Sequence, residues 1–220
     1  MRNMASEVLR RVGWALVAVG LFDIGFMVYC IMNNFSYGSS LNIFAVIAGV
    51  LLLRQSMKAA QIVSFFAAFM LSASIPPAIL VALLMPFDLL VTKFRLDPLG
   101  SISSTLVSLA LLAFLLWVYR SLTSPVVLQA RRVAGVGYRK PIFAFVAGFA
   151  VFVGLSVMII VGFNGPSAEK ALAMAMAKAK ENAGSKYSYF VTFMRWAGDS
   201  GSAVVTVYNA TEIKEVNVEW

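Results

Sequence analysis

The chain has 220 residues, 60% of them hydrophobic and 13% charged, with a net charge of +8, one cysteine and no histidine. The missing histidine excludes histidine-ligated haem, zincin chemistry and a Ser-His-Asp triad, and the lone Cys30 excludes an intrachain disulfide and a paired-cysteine redox motif. A mean hydropathy of +0.84, with the charges gathered between long apolar stretches, predicts an integral membrane protein.

A bilayer core about 30 Å thick takes roughly 20 apolar residues in a helix, and only a helix or a closed barrel satisfies its own backbone there. Five stretches qualify, expected over 13–32, 37–53, 59–85, 101–119 and 142–163. The first follows Arg2, Arg10 and Arg11. Its apolar core is too long for a signal peptide and no small-residue cleavage site follows, so it reads as an uncleaved anchor. Met27, Val28 and Tyr29 are too large for a lipoprotein acylation site before Cys30, which reads as apolar filler. Asp23 is the one ionisable residue well inside a span. A carboxyl there is costly and faces protein or water. Its expected role is helix packing in the protonated form, with pairing to a partner subunit or ion coupling as alternatives. Asn42, near the outer end of the second span, is its candidate hydrogen-bond neighbour.

Ala45 and Gly49 in the second span lie four residues apart. The third span carries a small-residue stripe, Ala60, Ser64, Ala68 and Ser72, followed by Pro76 and Pro77. Such a stripe lets backbones approach closely, and the prolines predict a kink or break. Between the third and fourth spans, 87–97 reads either as a short interfacial helix or as a loop. The segment from Arg120 to Lys140 reads as a basic loop, with Arg131, Arg132, Arg139 and Lys140 as candidate contacts for anionic lipid headgroups. Gly135-Val136-Gly137 is too short for a phosphate-cradling loop. In the fifth span Ala144 with Gly148, and Ala150 with Gly154, repeat the four-residue spacing.

Lys and Arg accumulate in cytoplasmic loops. The N-terminal tail, the turn at Arg54 and Lys58, and the 120–140 segment together carry ten basic residues against one acid, Glu7. The alternate loops and the C-terminal tail are balanced, the tail with six basic and six acidic residues. This orients the N-terminus to the cytoplasm and the C-terminus outside, in a bacterial inner membrane. It also makes the net charge a topology signal, so no nucleic-acid partner is expected. Trp14, Trp117, Tyr119 and Tyr138 fall near the inner boundary, where amphipathic rings concentrate.

Beyond the 1–164 membrane domain, composition changes. In the 165–220 domain Ser167 reads as a helix cap with Pro166 just outside, 168–183 as a helix with a Leu172, Ala175, Met176, Ala179 stripe, and Gly184 as its stop. Strands follow over 186–196, 202–208 and 213–220, the last with Val216, Val218 and Trp220 on one face. The expected fold is therefore five transmembrane helices followed by a small extracytoplasmic α+β domain, one helix on a three-stranded antiparallel sheet. Asn34-Phe35-Ser36 and Asn209-Ala210-Thr211 fit the glycosylation pattern and are read as chance matches.

No cofactor, metal or catalytic residue emerges. The expected partners are the lipid bilayer and a membrane or envelope protein. The expected function is a non-enzymatic envelope protein whose C-terminal domain binds a partner or assists assembly or regulation of a membrane complex. The alternatives are a transporter or channel component using Asp23 and the kinked third helix, and an enzyme on a lipid or envelope precursor using Asp88 and Asp97.

Overall fold

A computed structural model describes residues 2–34, 42–136, 141–163, 166–184, 186–198 and 200–220. The described chain is mostly helical, with a three-stranded antiparallel sheet at the C-terminus. The helices are α1 (Arg2–Met32), α2 (Asn42–Leu53), α3 (Met57–Ala73), α4 (Ile75–Leu84), α5 (Phe87–Leu96), α6 (Pro98–Leu122), α7 (Pro125–Val133), α8 (Ile142–Phe163) and α9 (Pro166–Ala183). The strands are β1 (Ser188–Ala197), β2 (Ser200–Tyr208) and β3 (Ile213–Glu219). Among the described residues, two helical segments, Asn3–Met32 and Pro98–Leu122, are long and apolar enough to cross a membrane. The chain divides into two compact units, Met1–Ser72 with Leu111–Gly148, and Ala73–Ala110 with Phe149–Trp220.

The first unit has a core of Leu9, Val12 and Leu16 from α1, Leu52 from α2, alanines of α3, and Val118 and Leu122 from α6. α1 and α2 cross at two glycines. A Cβ on Gly49 would stand 2.7 Å from the carbonyl oxygen of Gly13, and one on Gly13 would stand 2.9 Å from that of Gly49. Only hydrogen fits on either backbone, which is the packing that small residues permit. Ala45 and Gly49 were legible as a small pair, but Gly13 as their counterpart was not.

α2 ends at Leu53, and the Ser56 hydroxyl accepts the Ala59 amide at 3.2 Å to start α3. The stripe of α3 is buried at Ala60, Ser64, Ala68 and Ser72. Both hydroxyls are satisfied inside the helix: Ser64 donates to the Gln61 carbonyl and Ser72 to that of Phe69, each at 2.9 Å. Gly148 of α8 seats against Ser72 and the Phe69 carbonyl, where a Cβ would clash. The Tyr119 and Phe145 rings meet edge-on, 5.4 Å apart.

The span expected over 59–85, with a kink or break at its prolines, is interrupted. Helix α3 stops at Ala73, Ser74 is a turn, and α4 restarts at Ile75. Pro76 and Pro77 thus occupy the first turn of α4, where a missing amide costs nothing. The 87–97 segment is helical as α5, and Asp97 then opens α6, its carboxylate accepting the Gly100 amide at 2.8 Å. The basic loop expected from Arg120 to Lys140 is corrected over most of its length. α6 continues to Leu122 and α7 covers Pro125–Val133. Pro125 is preset for a first helical position, and Val127 and Arg131, one turn apart, are buried on the same side.

The C-terminal part of the second unit is α9 on the sheet β1-β2-β3. The helix begins at Pro166 rather than after it. Its buried seam is Ala168, Ala171, Ala175 and Ala179. Leu172 and Met176 of the expected stripe flank that seam and are only half-buried. Alanine wins the seam because its small side chain lets α9 lie close to Val205 and Val207, the centre of the sheet face. Gly184 ends the helix with φ +87°, a value that favours glycine, and its amide bonds the Lys180 carbonyl at 2.8 Å.

β1 is not a regular strand. Val191 pairs with Val205 and Phe193 with Val204, which leaves Thr192 as a bulge. One extra residue reverses the alternation of a pleated strand. Tyr189 and Val191 before the bulge, and Met194 and Trp196 after it, therefore share the α9 side. At the other margin Trp220 exchanges two backbone hydrogen bonds with Gly201, at 2.8 and 3.0 Å.

Candidate functional site

The C-terminal sheet offers the clearest arrangement of functional side chains. Its α9 side is filled by Val205, Val207, Met194 and Val218. Side chains of the opposite parity face away from α9. They include Phe193, 57% exposed, beside half-buried Phe190 and Val204. Phe193 pairs with Val204, which pairs with Asn217. Thr192 and Thr206 bond through their hydroxyls at 2.6 Å, and Arg195 donates from Nε to the Ser202 hydroxyl at 3.0 Å. Phe190, Phe193 and Val204 make an apolar patch on the β1–β2 part of this face, bordered by the paired Thr192, Thr206, Arg195 and Ser202 and, on β3, by exposed Glu215, Asn217 and Glu219.

At one end of the sheet Tyr187, Glu212 and Lys214 form a polar cluster. The Tyr187 hydroxyl donates to Glu212, Lys214 pairs with the same carboxylate at 2.7 Å, and the Lys214 ammonium lies 5.9 Å from the Tyr187 ring centroid. The hydrogen bond from Lys214, then that from Tyr187, holds the Glu212 carboxyl below its ordinary range. The same contact with Glu212 raises Tyr187 and Lys214. The adjoining turn is set by Asn209, whose side-chain oxygen accepts the Thr211 amide at 2.8 Å and the Glu212 amide at 2.9 Å. Asn209 therefore has a local conformational role in the triplet that matched the glycosylation pattern. Asn34-Phe35-Ser36 lies partly outside the described residues.

The residues singled out from sequence do not converge on one place. Asp23 is half-buried in α1, and the side chain of its expected neighbour Asn42 lies outside the described residues. Cys30 is buried. Ala60, Ser64, Ala68 and Ser72 line one side of α3, Pro76 is buried in α4, and the Pro77 side chain lies outside the described residues. Arg131 is 4% exposed while adjacent Arg132 is open to solvent, so these two do not form a joint surface. Arg139 and Lys140 lie outside the described residues, as do Gly137 and Tyr138. Asp97 is engaged as the cap of α6. Among the described residues no group of three or more His, Cys, Asp or Glu side chains could hold a metal ion.

Sequence reading missed the outward Phe193 and the Tyr187–Glu212–Lys214 cluster. A bulge sets the parity of the first, and 25 residues separate Tyr187 from Glu212. No protein-family model matches this chain, and neither does any curated protein or solved structure.

Proposed function

We propose that this chain is a five-span protein of a bacterial inner membrane that carries a non-catalytic α+β domain on the extracytoplasmic side, where the domain docks a partner protein. The single observation that carries the reading is the sheet face turned away from α9, with Phe193 of the edge strand β1 57% exposed. A small domain that leaves an aromatic outward beside apolar neighbours has a ready contact for another protein surface.

Several features support the membrane part. α1 and α6 exceed the roughly 20 residues a bilayer requires. α8 spans 22 residues without a charge. Outward side chains on these helices are large and apolar, with Phe22, Leu106 and Met158 all well exposed. Lipid would solvate them where water would not. The remaining two spans are α2 with the residues before it, and α3 with α4. The ten basic residues on one side supply the orientation.

The partner is tested by photo-crosslinking in native membranes, with the reactive amino acid at Phe193 or, as a control, at Lys178 on the exposed side of α9. One discrete protein adduct from position 193 and none from 178 is expected. Equal labelling from both positions, or adducts with lipid alone, would overturn the docking reading. The membrane reading has its own test. A carboxyl-terminal reporter that fluoresces only in the cytoplasm should stay dark, and carbonate washing should leave the chain in the pellet.

A further inference from the structure

The strongest unassigned feature is a groove of ≈ 670 Å³ in the first unit, between the start of α1, the α2–α3 turn and α7. Ser6, Gln55, Ser56, Lys58 and Gln129 supply its polar lining. The Ser6 hydroxyl donates to the Asn3 carbonyl at 2.8 Å, which leaves the Ser56 hydroxyl, the Gln55 and Gln129 amides and the Lys58 ammonium as donors. None of the described lining residues is acidic, and among the described residues no carboxylate lies within ion-pair distance of Lys58. The nearest acid in sequence to Ser6 is Glu7, which stands 3.9 Å from Arg11. On α7, Val126, Ala130 and Val133 add apolar surface beside Gln129. The groove thus joins an uncompensated cation and neutral donors to apolar surface.

Its level matters as much as its lining. It lies at the helix ends, where the apolar parts of α1 and α2 give way to Arg10, Arg11 and Arg54, and where α3 begins at Met57. If the membrane reading above holds, that level is the headgroup layer on the cytoplasmic side. Lipids there carry a phosphodiester above a glycerol and acyl chains, an anion joined to hydrocarbon in the same order as the groove.

We propose that this groove binds the headgroup of an anionic phospholipid, with Lys58 facing the phosphodiester, Ser56 and Gln129 donating to its oxygens, and Val126 and Val133 against the glycerol and upper acyl carbons. The site is distinct from general attraction to exposed Arg132, because it needs both shape and charge.

The test uses the full chain in neutral detergent, titrated with fluorescent phosphatidylglycerol or phosphatidylcholine. The parent should prefer phosphatidylglycerol. Lys58→Gln should weaken that lipid by about fivefold, the scale of one cation at an anionic surface. Ala130→Trp, which fills the groove at constant charge, should weaken it at least as much. Gln129→Ala, a milder change at an exposed side chain, should weaken it to a smaller degree. Arg132→Gln should change it little. Thermal unfolding of each variant separates lost binding from lost folding. Unaltered binding in both Gln129→Ala and a folded Ala130→Trp, or equal loss in Arg132→Gln and Lys58→Gln, would overturn the site. So would displacement of the lipid by free glycerol phosphate at matched concentration, since a soluble phosphate would then be the ligand. Failure of the groove with the chain still held in the membrane fraction leaves the membrane reading intact. Release by carbonate would remove both.

Discussion

Single atoms decide whether α1 and α2 can touch. The Gly13–Gly49 crossing has no room for a methyl group, whereas Gly154 has nothing within 4 Å of where its Cβ would be. Gly49→Leu should therefore cost about 1–3 kcal/mol, the usual range for overpacking, while Gly154→Ala should be close to neutral. Unfolding of the purified chain in detergent distinguishes the two, and equal effects would contradict the crossing. A second residue-level expectation concerns Glu212. Its carboxyl is depressed from 4.5 by Lys214 and Tyr187. Its contribution to stability is then present above the ordinary value and drains as pH falls through the lowered one. Tyr187 and Lys214 are raised from 10.0 and 10.5, so their contributions hold below those values and fade as pH climbs past them. Unfolding of the C-terminal domain, followed by Trp196 and Trp220 fluorescence, should lose stability at acid pH, and Glu212→Gln should remove this cluster's part of that loss. An unchanged acid limb in the variant would count against the cluster.

At the scale of elements, the Thr192 bulge fixes which half of β1 faces α9. Deleting Thr192 would make Val191↔Val205 and Phe193↔Val204 consecutive pairs, so Met194 and Trp196 should keep the α9 side in a now regular strand. The domain should then keep cooperative unfolding and its near-ultraviolet circular dichroism, and loss of both would contradict this register. Thr192→Val keeps the residue count and should cost about 1 kcal/mol, through the lost bond to Thr206. The bulge was illegible because local alternation gives no count of residues on the partner strand. The same limit explains α9. Leu172 and Met176 looked like the buried stripe by hydropathy, yet the seam belongs to alanines, since clearance to the sheet and not transfer energy decides there. α7 was hidden by its arginines, which draw the eye to charge before helical spacing. Ser124-Pro125 was the available signal of a helix start. The prolines of the third stretch announced an interruption, and their shared position in the first turn of α4 gives its cause.

For the whole molecule, composition and charge spacing made the mostly helical chain with a C-terminal antiparallel sheet legible. The length criterion reaches two helices of the described residues. Of the other three expected spans, 142–163 is the single 22-residue helix α8, while the second and third join short helices to residues outside those described or to a turn, so length alone does not carry those two. The candidate site was less legible than the fold. Phe193 reads as one of several aromatics in a strand, and its outward direction depends on pairing with residues beyond the turn. The groove at Lys58 draws its walls from three distant parts of the chain, and no local pattern marks such a convergence.

A helix of 12 residues, such as α2, reaches about 18 Å and cannot cross hydrocarbon by itself. On the five-span proposal, its close seat on α1 would let the two enter the bilayer as a hairpin during synthesis, the first segment sheltering the second while the ribosome is still extending the chain. On that same proposal, a bulky residue at position 49 would do more than loosen a contact: by stranding α2 outside, it would invert every later segment and deliver the C-terminal sheet to the opposite compartment.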